Sequence, residues 1–293
     1  MSSAPIEPLL PPLPSLDEKH LRFEKFSAPG FEIVDVLRPA SAPYVNGDPA
    51  APALLLVPGL GMNCRNYIRQ LPLGALCDLH LPQAINEPIE GEHGLGHFAR
   101  HVEEYILQRG LDRRPGGLIL GGCSMGGAIS LQICLRGRVK PRALLLLGSF
   151  ANCRHLPFYQ RLLAPLSYVL PISMGKRCLK VLLSTFGEKF GGARGEGMRW
   201  MTSGKLQRTH GYFGRAIMAL TRQNQIEQAR KLSIPTLVLH GARDWVLPPA
   251  AGVEMADTIP GARIKLIDQA GHALIFTHAE EVNAEIAAFL RDV

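Results

Sequence analysis

The stretch Leu118-Ile119-Leu120-Gly121-Gly122-Cys123-Ser124-Met125-Gly126-Gly127-Ala128 constrains this chain of 293 residues more than any other. An apolar run of strand length leads into glycines around one serine, and helix-forming residues follow. A chain that turns this sharply from strand to helix puts the serine in a strained backbone conformation, with its hydroxyl projecting above a sheet. The residues two before and two after it crowd each other across the turn, so only a side chain near hydrogen in size fits at both. Gly122 and Gly126 meet that requirement. Moving the nucleophile to Cys123 would bring Met125 into the second crowded position. Ser124 is therefore the candidate nucleophile, and Cys123 is its packed neighbour. The helix beginning at Met125 points free N–H groups and a positive dipole at developing negative charge.

Around this turn, apolar runs at 53–57, 118–120, 143–147 and 236–239 read as buried parallel strands. Residues 263–267, Arg-Ile-Lys-Leu-Ile, alternate as an edge-ward strand does. Helices are expected over 98–108, 125–135 and 279–290, the last with Val282, Ile286, Phe289 and Leu290 at helical spacing. Such alternation implies an α/β fold with a mostly parallel, doubly wound sheet covered on both faces. The pattern breaks after Phe150 and resumes at Ile234-Pro235. Between them lie apolar helical patches at 168–172, 179–186 and 212–220 and a Gly-rich turn region at 187–197. The expected organisation is a Pro-rich flexible tail (1–26), a first part of the core (27–150), an inserted helical cap (151–232) and a second part of the core (233–293).

Hydrophobic residues make up 46% of the chain and charged residues 19%, ample for a buried core. No apolar stretch is long enough to span a bilayer. The first fourteen residues hold five prolines and no basic residue, unlike a signal peptide. The six cysteines have neither Cys-x-x-Cys nor zinc spacing, and read as reduced thiols of a cytoplasmic protein. Residues 151–232 carry fourteen Lys and Arg against three Glu, so the inserted segment alone accounts for the basic excess of the chain. No aromatic-basic module accompanies it, and nucleic acid is not an expected partner. His93, His97 and His101 recur every four residues and read as a solvated helix face rather than a metal site. Neither a metal nor a cofactor is expected.

A serine hydroxyl needs a base within hydrogen-bond reach, itself held by a third group. Leu237-Val238-Leu239-His240-Gly241-Ala242-Arg243-Asp244-Trp245-Val246-Leu247-Pro248 is a strand followed by a loop carrying Asp244. Ile267-Asp268-Gln269-Ala270-Gly271-His272 closes the next strand and carries His272. Asp268 is the rival acid, four residues from His272 at a strand end. His240 is expected to pack at the end of its own strand.

Gly-x-Ser-x-Gly between strand and helix, then Gly-x-x-Asp-x-x-x-Pro, then Ala-Gly-His, resembles the α/β-hydrolase superfamily of serine hydrolases. The resemblance covers residues 27–150 and 233–293. It implies Ser124 as nucleophile, Asp244 as acid and His272 as base, cleaving a carboxylic ester or thioester through an acyl-enzyme. It also implies an oxyanion hole from the backbone N–H groups of Met125 and Leu60. The Leu60 loop, Pro58-Gly59-Leu60-Gly61-Met62, is similar to the family's His-Gly-x-x turn, with Pro58 where His is usual. A second departure is Leu81-Pro82-Gln83-Ala84-Ile85-Asn86-Glu87-Pro88, where many relatives have Asp-x-Pro-Gly-x-Gly-x-Ser. Met62 and Trp245 either line the pocket or fill space beside it.

An insertion at this point of the family's fold forms a lid that sets substrate choice. Its basic character is similar to that of caps in esterases acting on acyl groups of acidic acyl carrier protein; the alternative is that Lys and Arg solvate exposed helices. The expected partner is thus a small-molecule or carrier-bound acyl substrate. The same elbow occurs in hydrolase-fold lyases, C–C hydrolases, perhydrolases and acyltransferases. A non-catalytic ligand-binding protein of this fold is the reading from a different class.

Overall fold

The computed structural model describes residues 10–28, 31–39, 45, 47–82, 92–165 and 212–293. Its strands are β1 (Leu21–Ala28), β2 (Phe31–Pro39), β3 (Ala53–Val57), β4 (Asp78–Pro82), β5 (Leu118–Cys123), β6 (Ala143–Leu147), β7 (Thr236–Gly241) and β8 (Arg263–Ile267). They form one sheet in the order β1-β2-β4-β3-β5-β6-β7-β8. From β4 to β8 neighbouring strands run parallel, whereas β1 and β2 add an antiparallel edge.

The buried runs explain the central strands. Successive side chains of a strand point to opposite faces, and each face here has an apolar cover. Leu55, Val57, Leu118 and Leu120 pack with Phe98, Val102, Ile106, Ala128 and Ile129 from α1 (Leu95–Arg109) and α2 (Met125–Arg136). On the other face Leu54, Leu56, Leu145 and Leu239 meet Tyr67, Ile68 and Leu71 of the 3-10 helix Cys64–Ala75, and Val282, Ile286 and Phe289 of the helix Ala279–Asp292. A strand covered on both faces needs no polar alternation, which is why these segments read as continuous apolar runs.

Four expectations are corrected. β1 begins at Leu21, so the last residues of the segment read as a tail, 1–26, belong to the sheet. The strand expected over 118–120 continues to Cys123, because glycine contributes backbone to the ladder without needing side-chain space. β8 is the last strand in the sheet order, but burial does not follow its alternation: only Ile267 is buried, while Ile264 and Leu266 are 39% and 40% exposed. His97 and His101 are not a solvated face: each is 4% exposed, with their rings 5.3 Å apart, because the helix Tyr212–Arg222 packs on α1.

Of the inserted segment, residues 166–211 lie outside the described residues, and with them the patches at 168–172 and 179–186 and the turn region at 187–197. Its two ends are zipped together. Asn152 bridges Asn224, Cys153 N–H donates to the Gln223 carbonyl at 2.9 Å, and Gln225 N–H donates to the Ala151 carbonyl at 2.7 Å. Gln225 Nε2 also donates to the Ala128 carbonyl of α2 at 3.2 Å. The chain leaves the sheet after β6 and returns at the same place to enter β7, which pairs directly with β6.

Candidate active site

β5 ends at Cys123 and α2 starts at Met125, leaving Ser124 alone in the turn with φ 55° and ψ −119°. A non-glycine residue there is strained, and such strain persists only where surrounding contacts impose it. They do. Ser124 N–H donates to the Leu147 carbonyl at 2.9 Å, and the Ser124 carbonyl accepts from Ser149 Oγ at 2.8 Å and Gly127 N–H at 3.1 Å. The glycine requirement is also visible. A Cβ at Gly122 would lie 2.5 Å from both the Gly126 carbonyl carbon and the Val57 carbonyl oxygen, and one at Gly126 would overlap the Val57 oxygen. Cys123 is buried, and burial, with the nearby Asp244 charge, pushes its thiol up to about 12. It stays a protonated neighbour.

The Leu60 loop lies against this turn. Met62 N–H donates to the Gly59 carbonyl at 3.0 Å, closing a turn over Leu60 and Gly61, whose φ of 77° suits glycine. A Cβ on Gly59 would be 3.3 Å from Ser124 Cβ and 2.8 Å from Met62 Sδ. Leu60 and Met62 are thus carried next to the candidate nucleophile. Met125 is the first residue of α2, where N–H groups have no acceptor one turn earlier in the helix. Trp245, by contrast, is 74% exposed.

Asp244 and His272 leave the carboxyl ends of β7 and β8, on the same edge of the sheet as the Ser124 turn. Gly241 brings their loops together: a Cβ there would sit 2.5 Å from the carbonyl oxygens of both Ala270 and Gly271. Arg243 N–H donates to the Ala270 carbonyl at 2.8 Å. His272 Nδ1 and Asp244 Oδ2 are 2.8 Å apart. The other carboxylate oxygen, Oδ1, accepts from Val246 N–H at 2.8 Å and Leu247 N–H at 2.9 Å. Burial would raise the Asp244 pKa, but His272, the Leu247 N–H and His240 outweigh it and hold the carboxyl below its usual range. An ionised Asp244 makes Nδ1 of His272 the protonated nitrogen and leaves Nε2 as a proton acceptor. Asp268 is exposed and accepts from Gln269 N–H at 2.9 Å, so it does not hold His272.

Gly148 links the two halves. It follows β6 with φ 50°, and a Cβ there would lie 3.9 Å from Asp244 Oδ2 and 3.7 Å from the His272 carbonyl. Its chain neighbour Leu147 accepts from the Ser124 amide. His240 is fully buried, as expected at its strand end. Its Nε2 donates to the Leu247 carbonyl at 3.0 Å and lies 3.6 Å from Asp244 Oδ2. Sequence reasoning missed that proximity, as it missed Ser149 and Tyr67; no motif marks them, and only the fold brings them to the turn. A cavity of about 740 Å³ lies elsewhere, among Asn152, Arg154, Arg230 and Glu254, and includes none of the candidate residues. Among the described residues no cluster of three or more His, Cys, Asp or Glu is placed to hold a metal ion.

The chain is similar to several known proteins. An esterase from Thermogutta terrifontis superposes with a TM-score of 0.72 at 21% identity, covering 92% of this chain and 98% of that one. The 2-hydroxymuconate semialdehyde hydrolase of Pseudomonas putida is 24% identical over 70% of this chain and 72% of its own length. The pimeloyl-[acyl-carrier protein] methyl ester esterase of Neisseria meningitidis is 25% identical over 59% and 69%. Identities of 37% to 39% occur over stretches of only 70 to 72 residues, and there the chain spans between 4% and 27% of the relatives' length. The profile of the Alpha/beta hydrolase family matches residues 54–285, and the chain belongs to that family.

Proposed function

We propose that the protein is a serine hydrolase that cleaves a carboxylic ester or thioester. The observation carrying this is the Asp244–His272 pair at 2.8 Å, set on the sheet edge where Ser124 occupies its strained turn. Ser124 Oγ attacks the carbonyl carbon as its proton passes to His272 Nε2, and Asp244 stabilises the resulting imidazolium. The N–H groups of Met125 and Leu60 hold the tetrahedral oxyanion. Collapse expels the alcohol or thiol, which takes the proton from His272. Water then gives its proton to His272 and attacks the acyl-enzyme, freeing the acid and regenerating Ser124. A fluorophosphonate probe tests this: wild-type protein is expected to be labelled and Ser124→Ala not. Equal labelling of the two overturns the proposal.

Within this reading, residues 151–232 are a helical cap over the nucleophile, and their fourteen cations suit an acyl group attached to an acidic carrier. A Neisseria meningitidis relative named for an acyl-carrier-protein ester supports that substrate class. An acyl-carrier thioester should then be cleaved faster at low than at high salt; a salt-independent rate removes electrostatic docking. The second reading, C–C bond hydrolysis by the same residues, is favoured by the Pseudomonas putida relative. Labelling at Ser124 with no turnover of p-nitrophenyl esters of any chain length would select it. No helix among the described residues is long and apolar enough to cross a membrane; we place the protein in the cytoplasm on this reading.

A further inference from the structure

The 3-10 helix Cys64–Ala75 supplies no group to the chemistry above, yet two of its residues hold backbone atoms on both sides of the site. Three residues per turn align positions i and i+3. Tyr67 and Gln70 are such a pair, and both are fully buried. Tyr67 Oη donates to the Val57 carbonyl at 2.7 Å and accepts from the Cys123 N–H at 2.8 Å. Val57 ends β3, three residues before Leu60, and Cys123 ends β5, one residue before Ser124. The two strands pair in register as far as Val57↔Gly122. Beyond that rung the phenol oxygen stands between a carbonyl of one strand and an amide of the other. It spaces the strands by one oxygen atom where the Leu60 loop turns towards Ser124.

Gln70 acts on the opposite side. Its Nε2 donates to the Ile275 carbonyl at 2.7 Å, three residues after His272, and to Asn283 Oδ1 at 3.3 Å. The helix is itself anchored beside the Leu60 loop. Asn63, directly after Met62, forms a reciprocal capping pair with Asn66. Burial pushes the Tyr67 phenol well above the ordinary tyrosine range, so the proton given to Val57 stays in place.

We infer that Tyr67 is a positioning residue whose hydroxyl sets the spacing between the Leu60 loop and Ser124, while Gln70 on the same helix face holds the His272 side. The inference rests on the serine-hydrolase reading. It predicts an effect on reaction rate separate from any effect on folding, because an oxyanion donor displaced by a fraction of an ångström loses its use in the transition state.

The test is fluorophosphonate labelling kinetics per labelled site, for wild type, Ser124→Ala, Tyr67→Phe, Gln70→Leu and Tyr105→Phe. The last removes another buried tyrosine hydroxyl, which meets His80 Nδ1 at 2.8 Å away from the turn. In Tyr67→Phe the labelling rate at saturation should fall about 10- to 100-fold, with the half-saturating concentration within about twofold of wild type. In Gln70→Leu it should fall about tenfold, and in Tyr105→Phe it should not change. A wild-type rate in Tyr67→Phe, or an equal fall in Tyr105→Phe, overturns the inference. Should Tyr67→Phe yield no folded protein, Gln70→Leu decides, and a wild-type rate there overturns it. An unlabelled wild type, or labelled Ser124→Ala, overturns the serine-hydrolase reading as well; wild type labelled at Ser124 with unaltered variants overturns this inference alone.

Discussion

Gly241 and Ala270 touch through their backbones: a Cβ on Gly241 would lie 2.5 Å from the Ala270 carbonyl oxygen. The contact carries the loop of Asp244 against the loop of His272. Gly241→Ala is therefore expected to cost about 1–3 kcal/mol and to slow fluorophosphonate labelling by more than about tenfold. Gly271→Ala, whose Cβ would have its nearest neighbour at 3.7 Å, should change stability by less than about 0.5 kcal/mol. Denaturant unfolding of both variants checks the pair.

Asp244 and Asp268 make opposite claims on His272. Asp244→Asn keeps the shape of the side chain but would favour the wrong imidazole tautomer, and kcat should fall roughly 10⁴-fold. Asp268→Asn, at an exposed carboxylate whose Oδ1 accepts from Gln269 N–H, should leave kcat within about twofold. Steady-state kinetics on a p-nitrophenyl ester distinguishes them.

His240 gives stability a definite pH dependence. Burial lowers its pKa, against the opposing pull of the Leu247 carbonyl and Asp244. The unfolded chain, with an ordinary histidine near pH 6.5, binds the proton first. Stability from this residue is thus complete above about pH 6.5 and is lost as pH falls through the window down to the folded value. Calorimetric Tm values between pH 7 and 5 should decline less steeply in His240→Gln than in wild type.

Arg114, partly buried, pairs with the buried Asp78 at the far end of the sheet, with Asp78 also 3.0 Å from His80 Nε2 and accepting from Gly47 N–H. Burial of Asp78 acts to raise its pKa, but these partners hold it far below the carboxylate range. Arg114→Ala removes one of the partners of that charge and should cost about 1–3 kcal/mol. The labelling rate of the folded fraction should stay at the wild-type value, since no contact of Arg114 reaches Ser124 or His272.

Much of this arrangement was legible in the sequence, for physical reasons. β3 and β6 match their expected bounds, because a buried parallel strand flanked by glycine and proline leaves few alternatives, and the mostly exposed β8 matches through its alternation. Gly122, Gly126, Asp244 and His272 stand in motifs whose spacing follows from the turn and loops that hold them. The losses share a cause as well. β1, β2 and β4 carry mixed polar residues, and Asp78 and His80 in β4 are buried only because they satisfy each other and Arg114. The 3-10 helix Cys64–Ala75 contains Pro72 and winds with three residues per turn, so a 3.6-residue search passes over it. Tyr67 has no motif at all. Its role is visible only once Val57 and Cys123 end up side by side.

The zipped ends at Asn152 and Asn224 make the inserted segment a detour that begins and finishes at one point. Neither strand beside it depends on its length, since β6 and β7 pair directly. Doubling such a loop costs only about 0.6 kcal/mol in closure entropy. The fold thus behaves as a fixed engine with an exchangeable fitting. Segments of different length or charge should be accepted between the helices Phe158–Leu163 and Tyr212–Arg222, the second of which packs on α1, while Ser124, Asp244 and His272 keep their places.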